Sequence, residues 1–488
     1  KKTETYDGNT GKIIFDSLSK LQHRGQDSYG YSYLKDNMMM TKKHLGLIDS
    51  SKTDDELNDI SNLTLIGHLR YVTSGKSSYS ESDNIQPFIG STKEYNFSLA
   101  HNGNIKNTDS LQRTLLKLNP DFPVTELEQL KLRNHDTYYL LKILENLPAV
   151  EMEDKLIQLV NSVPGVYCLI VMVNDIIYIV RDRFGVRPLC LATLEINNTT
   201  QYMVASESVA FPVGSYLVRD VNPGEVIKMS IRDGFDTIYQ MNTPEPKHCL
   251  FEYIYFLRPE TIADNLSVSD IRQKYGEILG QKEIDIFKAM ISYQELPIID
   301  EGKNICIFNP IDYAEKDNYV VVGSPSSGII AAKGYAERMG LKYEQIIVKQ
   351  KNIRSFILNS DEARKNACYE KFKFIKEQIE GKKIVLVDDS LVRGNTTRIM
   401  IQVLKELGAV EVHVRIASPP IKHACYFGID IPSDKELIAT QNSIDSVTTI
   451  IGADSLIYLD LSDIQKVHSD TLCHACFSGN YEKELMDW

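Results

Sequence analysis

The sequence lacks several features that would assign it to a whole class of proteins. No apolar run in its 488 residues approaches the roughly 18 to 20 that a membrane helix needs, and its start shows no signal peptide. Eight cysteines in so long a chain are too few for a disulfide scaffold, so we expect a reducing, cytoplasmic setting. A formal net charge of −12 disfavours nonspecific binding of nucleic acid. We therefore expect a soluble globular protein with neither a membrane nor a nucleic-acid partner.

The pattern of apolar segments changes along the chain, which is long enough for two or three domains. Residues 1–240 mix short β-like segments, such as Val166 to Val173, with helical stretches near residues 11–22, 108–118 and 135–147, a mixture that favours an α+β layered domain. Two prolines in residues 241–248 indicate a linker.

From about residue 260, strands alternate with helices, which is the pattern of a doubly wound parallel sheet. Gln345 to Val348 is one of the strands predicted for that sheet. We therefore predict an α+β domain over residues 1–240, an α/β domain over residues 250–425 and a C-terminal segment over residues 426–488.

The most informative stretch is IVLVDDSLVRGNTT, residues 384–397. Its apolar start indicates a buried strand, and Asp388 and Asp389 follow at the carboxyl end, where open α/β sheets bind ligands. The loop containing Gly394 leads into a helix starting near Thr396, so backbone N–H groups and the positive helix end converge on a spot suited to phosphate. Carboxylates for hydroxyls beside a phosphate cradle describe a ribose 5-phosphate site. No Gly-Lys-Ser/Thr follows, which excludes a Walker loop.

Two further segments fit such a ligand. Ser324 begins a run of small residues between a strand and a helix, where the backbone can approach an anion and the hydroxyls of Ser326 and Ser327 can bind it. A basic segment could stabilise a departing pyrophosphate, although basic residues in loops are usually just solvated; it contains Lys349, Lys351 and Arg354.

Residues 384–397 resemble the PRPP (phosphoribosylpyrophosphate) loop of type I phosphoribosyltransferases. With FEYIYFLRPE (251–260) and HVRIASPP (413–420), nearly the whole chain resembles the glutamine PRPP amidotransferase family, which opens purine nucleotide synthesis. The resemblance implies Mg²⁺ held by Ser326, Asp388 and Asp389. It implies a PRPP site made of Ser326, Ser327, Gly328, Lys349, Arg354, Asp388, Asp389, Ser390, Arg393, Gly394, Asn395, Thr396 and Thr397. Two departures concern pyrophosphate handling, since Ser326 stands where the family usually has an acidic residue and the basic loop lacks its usual glycine.

The first half resembles the glutaminase domain of N-terminal-nucleophile amidotransferases, an αββα fold. The matching motifs are LQHRGQD (21–27), GHLRYVT (67–73), HNGN (101–104) and NHDT (134–137). Arg70 can hold the α-carboxylate of glutamine in a bidentate contact, and Asp136 can pair with its α-ammonium. The Asn102 side chain and the Gly103 N–H suit an oxyanion hole. Arg24 is expected to organise the loops around that pocket.

The nucleophile of this class, a cysteine at the mature N-terminus, does not occur in the sequence given. The sequence begins KKTETYD, and its first cysteine, Cys168, lies in a predicted hairpin and is expected to be a core thiol. Losing the nucleophile of a serine hydrolase costs on the order of 10⁶ in turnover. We expect a short segment bearing the cysteine to precede the sequence given. The alternative is a silent or ammonia-only homologue that binds PRPP or purine nucleotides.

Four cysteines remain to be explained: Cys249, Cys425 and the pair Cys473 and Cys476. A lone C-x₂-C is compatible with zinc, an iron–sulfur cluster, a redox pair or chance. One branch of the family carries a [4Fe–4S] cluster on four cysteines in these contexts, so the resemblance implies such a cluster, with zinc as second choice. The family also implies a homotetramer inhibited by purine nucleotides. The hydrophobic residues 251–256 suggest a path for ammonia, since an apolar conduit would keep ammonia neutral. Another glutamine enzyme, such as an aminosugar synthase, is disfavoured by the Asp388–Asp389 loop.

Overall fold

The structure is a computed structural model that describes residues 9–36, 38–48, 64–71, 81–242, 245–293, 298–350, 369–431, 433–468 and 472–486. In the first half the helices are α1 (Thr10–Lys20), α2 (Thr108–Leu118), α3 (Val124–Arg133), α4 (Asp136–Asn146) and α5 (Met152–Ser162). The strands there are β1 (Ser28–Lys35), β2 (Met38–Leu45), β3 (Leu65–Arg70), β4 (Phe88–Ser91), β5 (Asn96–Asn104), β6 (Val166–Val173), β7 (Ile176–Arg181), β8 (Cys190–Ile196), β9 (Thr199–Ala205), β10 (Tyr216–Asp220), β11 (Glu225–Ser230) and β12 (Gly234–Gln240).

The first half stacks two β layers between helices. An antiparallel sheet runs in the order β12-β11-β7-β6-β5-β4, and two smaller sheets run β2-β1-β3 and β10-β8-β9. Alternate residues of β6 point to opposite faces of the large sheet. Leu169 packs in the core formed with α2, α4 and α5. Cys168 packs with Leu189 and Leu191 on the face towards the smaller sheets. Ile13 of α1 packs on Leu194 from the far side. This arrangement confirms the predicted αββα layers.

The second half carries a mixed, mainly parallel sheet. Its helices are α6 (Val268–Tyr293), α7 (Ile329–Met339), α8 (Asn395–Glu406), α9 (Ile438–Gln441), α10 (Ile444–Ile451), α11 (Leu461–Ile464), α12 (Ala475–Ser478) and α13 (Lys483–Met486). Its strands are β13 (His248–Cys249), β14 (Ile262–Ala263), β15 (Leu266–Ser267), β16 (Ile298–Asp300), β17 (Ile305–Ile307), β18 (Tyr319–Gly323), β19 (Lys342–Tyr343), β20 (Ile347–Lys349), β21 (Phe372–Phe374), β22 (Lys383–Asp388), β23 (Glu411–Ile416), β24 (Ser455–Tyr458) and β25 (Leu472–Cys473).

The sheet order is β16-β17-β24-β23-β22-β18-β19, and the strands from β24 to β19 are mutually parallel. Both faces are covered, which explains the unbroken apolar runs. In β22, Val385 and Val387 face the core shared with α6 and α7, whereas Ile384 and Leu386 face the core shared with α8 and α10. The doubly wound α/β prediction is therefore confirmed. Within the described residues, we find no helix with the length and apolarity needed to cross a membrane.

Two details of the predicted fold need correction. The segment around Gln345 to Val348 does not join the main sheet, because β20 pairs antiparallel with β21 in a separate two-stranded ribbon. The end of the predicted linker is ordered, since β13 pairs in parallel with β25 from the C-terminal segment. The long helix α6 was not anticipated. The predicted domain boundaries stay predictions.

Candidate active sites

The acidic pair lies where the sequence places it, at the carboxyl end of β22 in the middle of the sheet. The backbone N–H of Asp389 donates to Asp388 Oδ1 at 3.0 Å, and Ser390 Oγ donates to Asp389 Oδ1 at 2.6 Å. Both aspartates are nearly buried. Burial and the neighbouring Asp389 charge raise the pKa of Asp388 well above its usual range. A cation or a set of hydroxyl donors would relieve this repulsion, so the pair is suited to bind both.

The loop that begins at Ser324 is pressed against the same strand end. The Ser324 N–H donates to the Val387 carbonyl at 2.8 Å, and the Gly328 N–H donates to Ser324 O at 3.0 Å. A side chain at Gly328 would overlap the Val387 carbonyl oxygen, so glycine permits this close approach. Ser326 is exposed and Ser327 half-buried on the outer side of the turn. Their hydroxyls are therefore within reach of a ligand over the strand end.

The third segment closes the cradle at the start of α8. Gly394, at φ +74°, precedes the helix, and its carbonyl accepts the first helical hydrogen bond from the Arg398 N–H at 2.9 Å. Ser390, Asn395 and Thr396 are half-buried and Thr397 is buried around this N-terminus. The free N–H groups and the positive end of the helix suit an anion such as phosphate.

Three predicted PRPP residues lie apart from this cradle or cannot be placed. The Arg393 guanidinium donates to Glu436 Oε2 at 3.0 and 2.7 Å on the surface. Lys349 is exposed at the end of the β20–β21 ribbon, and Arg354 lies outside the described residues. Arg393 and Glu436 are 43 positions apart in the chain, so no local sequence pattern indicates that they pair.

The predicted oxyanion residues lie at the end of β5. Gly103 packs so closely on β6 that a side chain would overlap the Val166 carbonyl oxygen. The Asn102 Nδ2 group donates to Ser206 Oγ at 3.3 Å, a contact at the limit of a hydrogen bond that a substrate could replace. Glycine at position 103 therefore lets the end of β5 lie directly against β6.

Asp136 holds the chain just after those residues. Its Oδ2 accepts the Ile105 N–H at 2.9 Å, and its Oδ1 accepts the Thr137 N–H at 2.7 Å. Burial opposes the charge, yet the pKa of Asp136 lies well below its usual range because of His101, His135 and the Ile105 N–H. An ionised, nearly buried carboxylate at this position suits an ammonium group. Arg70, also nearly buried, ends β3.

Arg24 contacts two carboxylates that the sequence reasoning missed. It donates to Glu207 Oε1 at 2.6 Å and to Glu252 Oε1 at 2.7 Å, and Arg187 lies 3.0 Å from the same Glu252 oxygen. Burial lowers the pKa of Arg24, but Glu252 and Glu207 outweigh it and raise that pKa. The glutamate inside the apolar run FEYIYF does indicate a buried ion pair, because a buried carboxylate requires a partner. Arg24 therefore ties the glutaminase loops to the start of the second half.

A π-helical turn, Glu252–Phe256, contacts Arg24 of the first half and lies near the acidic pair of the second. Phe256 lies beneath the Arg24 guanidinium, with 4.8 Å between its ring centroid and Arg24 Cζ. Partial burial and the carboxylates of Asp389 and Asp388 raise the pKa of Tyr255 to about 12. The turn is thus held by the glutaminase half through Arg24 and experiences the charge of the acidic pair through Tyr255.

The four cysteines of the predicted metal site line one pocket, together with apolar side chains such as Phe251 and Phe427. Cys249 and Cys473 are register partners in the β13–β25 pair. Burial and neighbouring thiols raise the pKa of Cys249 and of Cys476 well above the usual range. Among the described residues, no three His, Cys, Asp or Glu side chains are arranged to hold a metal ion directly. The fold nevertheless brings all four thiols to the lining of one pocket.

Cys168 is a core thiol, as expected. It is buried in β6, and burial raises its pKa to about 12 despite nearby arginines. Such a thiol is a poor nucleophile.

The folds and sites define a glutamine amidotransferase joined to a phosphoribosyltransferase. Residues 76–212 match the glutamine amidotransferase domain family and residues 302–429 match the phosphoribosyl transferase domain family. The amidophosphoribosyltransferase of Methanothermobacter thermautotrophicus is 34% identical over 477 residues, which cover 97% of this chain and 91% of that protein. The one from Bacillus subtilis is 32% identical over 484 residues, covering 97% and 92%.

Among solved structures, the glutamine PRPP amidotransferase of B. subtilis in complex with ADP and GMP superposes with a TM-score of 0.78. It is 30% identical, and the match covers 98% of this chain and 96% of that one. A structure described as the allosteric regulatory enzyme of purine biosynthesis gives the same TM-score at 32% identity. The chain belongs to the amidophosphoribosyltransferase family.

Proposed function

We propose that this protein transfers the amide nitrogen of glutamine to C1 of PRPP, giving 5-phosphoribosylamine, glutamate and pyrophosphate. This is the first step of de novo purine nucleotide biosynthesis. The observation that carries the proposal is the convergence of the Asp388–Asp389 pair, the Ser324–Gly328 loop and the N-terminus of α8 at the carboxyl ends of β18 and β22. Carboxylates for ribose hydroxyls beside a phosphate cradle match one ligand class, a 5-phosphorylated ribose.

The nitrogen donor would be bound in the first half. Arg70 would hold the α-carboxylate of glutamine, Asp136 its α-ammonium, and Asn102 with Gly103 the oxyanion. Ammonia released there would pass along the turn Glu252–Phe256, which contacts Arg24 and lies near the acidic pair. An apolar passage keeps ammonia neutral and prevents its loss to solvent.

Mg²⁺ would accompany PRPP. Its preferred oxygen ligands are present in Asp388 and Asp389, with the exposed hydroxyl of Ser326 on the facing loop. When bound, the ion would neutralise charge on the departing pyrophosphate. Lys349 and Arg354 are proposed to assist it.

We propose that the four-cysteine pocket holds a [4Fe–4S] cluster, with zinc as the second candidate. Its donor set is Cys249, Cys425, Cys473 and Cys476 in an apolar lining. In a cluster the thiolates bind separate irons, so they lie farther apart than around a single ion. Two buried N–H positions of Arg187 have no hydrogen-bond partner among the described residues, and this cation lies near Cys249 and Cys425. A buried cation beside the thiols suits an anionic cluster. Such a group would tie residues 426–488 to the body of the protein.

Regulation and assembly follow the family. The B. subtilis relative was solved with ADP and GMP, and we propose that purine nucleotides inhibit this protein as well. A homotetrameric state is proposed on the same family basis, and a cytoplasmic location is proposed from the small number of cysteines.

The test is Mg²⁺-dependent pyrophosphate release from PRPP with an ammonium salt as nitrogen donor, because this assay needs no glutaminase nucleophile. We expect release by the parent protein and its loss in the Asp388→Asn/Asp389→Asn variant, while a surface variant, Glu436→Gln, stays within a factor of about two. Binding of PRPP without any release would favour the alternative, a silent homologue that binds PRPP or purine nucleotides. Iron and acid-labile sulfide analysis separates a cluster from zinc.

A further inference from the structure

The segment that contains one pocket cysteine also contacts the predicted oxyanion residues. We name residues 425–428 the cysteine turn and residues 102–105 the oxyanion segment. Asn104 Nδ2 in the oxyanion segment donates to the Tyr426 carbonyl at 2.8 Å. The two residues are 322 positions apart in the chain, so this hydrogen bond joins the C-terminal segment to the glutaminase half.

Two more contacts tighten the same junction. Gly428 has φ +101° and lies so near Gly103 that an added Cβ would be 3.0 Å from the Gly103 carbonyl carbon. Lys106 places its Nζ 3.6 Å from the centroid of the Tyr426 ring. Two contacts from the oxyanion segment and one from the adjacent Lys106 therefore hold this part of the chain against the cysteine turn.

The opposite side of the turn belongs to the four-cysteine pocket. Cys425 and Phe427 line that pocket, and the Phe427 N–H donates to Cys425 Sγ at 3.3 Å. Tyr481, another lining residue, donates to the Ala424 carbonyl at 2.5 Å, and its ring contacts that of Tyr426 at a tilt, with centroids 5.1 Å apart. The cysteine turn, four residues long, therefore contacts the four-cysteine pocket on one side and the oxyanion segment on the other.

We propose that the cysteine turn positions the oxyanion segment, so that a change at the four-cysteine pocket alters the geometry of the glutamine site. The inference rests on the proposed function for the role of Asn102 and Gly103. Asn104 and Tyr426 act as positioning residues, since neither is placed on the substrate. An oxyanion hole works only when its donors are held in place before the charge develops, and a buried turn fixed at both sides provides such a support.

The test measures amide hydrogen exchange of residues 99–105 in the natural, full-length protein. Asn104→Ala removes the hydrogen bond to Tyr426 and is expected to speed exchange there about fivefold, the effect of losing one net hydrogen bond. The matched control is Asn119→Ala, which removes a side-chain hydrogen bond of the same length, 2.8 Å to Asn146, elsewhere in this half. It is expected to leave exchange in residues 99–105 unchanged.

The pocket side is tested with Cys425→Ser and, in case that variant does not fold, with Tyr481→Phe, which loosens the turn without touching a thiol. Both are expected to speed exchange in residues 99–105. If neither does so while Asn104→Ala does, transmission from the pocket is refuted. If Asn104→Ala behaves as Asn119→Ala does, the positioning role is refuted as well.

Kinetics separate positioning from general loosening. Asn104→Ala is expected to lower kcat for glutamine about tenfold, with the KM for glutamine and the ammonium-dependent rate within about twofold. An equal loss with both nitrogen donors would overturn the proposal. Absence of ammonium-dependent release in the parent protein would instead count against the proposed function, and the exchange comparison would still be decisive for the junction.

Discussion

Glu252 joins the two halves of the protein through a buried ion pair that can be broken by a single change. Arg24 and Arg187 both contact its Oε1, and the side chains of Arg24, Arg187 and Glu252 are 7%, 2% and 3% exposed. In Glu252→Gln, Arg24 would keep its second partner, Glu207, at 2.6 Å. In the metal-free protein, Arg187 would keep no ionic partner among the described residues, and its Nε and Nη1 groups already have no hydrogen-bond partner there.

The expected loss of stability follows from the unpaired charge of Arg187. Removing one partner of a buried ion pair leaves an uncompensated charge and typically costs about 3–5 kcal/mol. We therefore expect Glu252→Gln to lower the free energy of unfolding by that amount. The assay is urea denaturation followed by fluorescence and circular dichroism, with the free energy taken from the first transition because a chain with two halves need not unfold in one step.

The control is an arginine–glutamate pair with similar contacts and a different environment. Arg393 donates twice to Glu436, but the two side chains are 38% and 49% exposed. Surface pairs contribute about 0–1 kcal/mol, so Glu436→Gln is expected to be nearly neutral. Equal effects of the two substitutions would refute the reasoning from burial.

Three further predictions concern acid stability, thiol reactivity and the PRPP cradle. Burial opposes the charge of Glu207, yet its cationic partners hold its pKa well below the ordinary 4.5. Its stabilisation is therefore complete above about pH 4.5 and is lost as pH falls below it, so Tm should fall less steeply in acid for Glu207→Gln than for the parent. Cys168, with a pKa of about 12, should resist iodoacetamide at about pH 8 in the native protein, and rapid alkylation there would contradict its burial. Gly328→Ala, which forces the loop away from the Val387 carbonyl, should reduce kcat/KM for PRPP by on the order of 10²-fold, measured by ammonium-dependent pyrophosphate release. An unchanged value would show that the loop does not contact PRPP.

Tertiary packing decided several features that local pattern could not reveal. The helix α6 contains Gly276 and Gly280, which weaken a helix prediction, but a side chain at Gly276 would overlap the Ala331 carbonyl oxygen of α7. The glycines therefore serve close helix packing. The strand β20 has an ordinary strand sequence, and only its pairing with β21 removes it from the main sheet.

The sequence alone determined the two fold classes and the position of the acidic pair at the carboxyl end of β22. Period-two and unbroken apolar segments are local properties, and β6 runs over the predicted residues, Val166–Val173. The stretch 384–397 could be interpreted because strand, carboxylates, loop and helix start are contiguous. The convergence of Cys249 with Cys473, the pairing of Glu252 with Arg24 and the contact of Asn104 with Tyr426 join residues hundreds of positions apart. Such contacts depend on how the two halves and the C-terminal segment pack, and no local spacing encodes that packing.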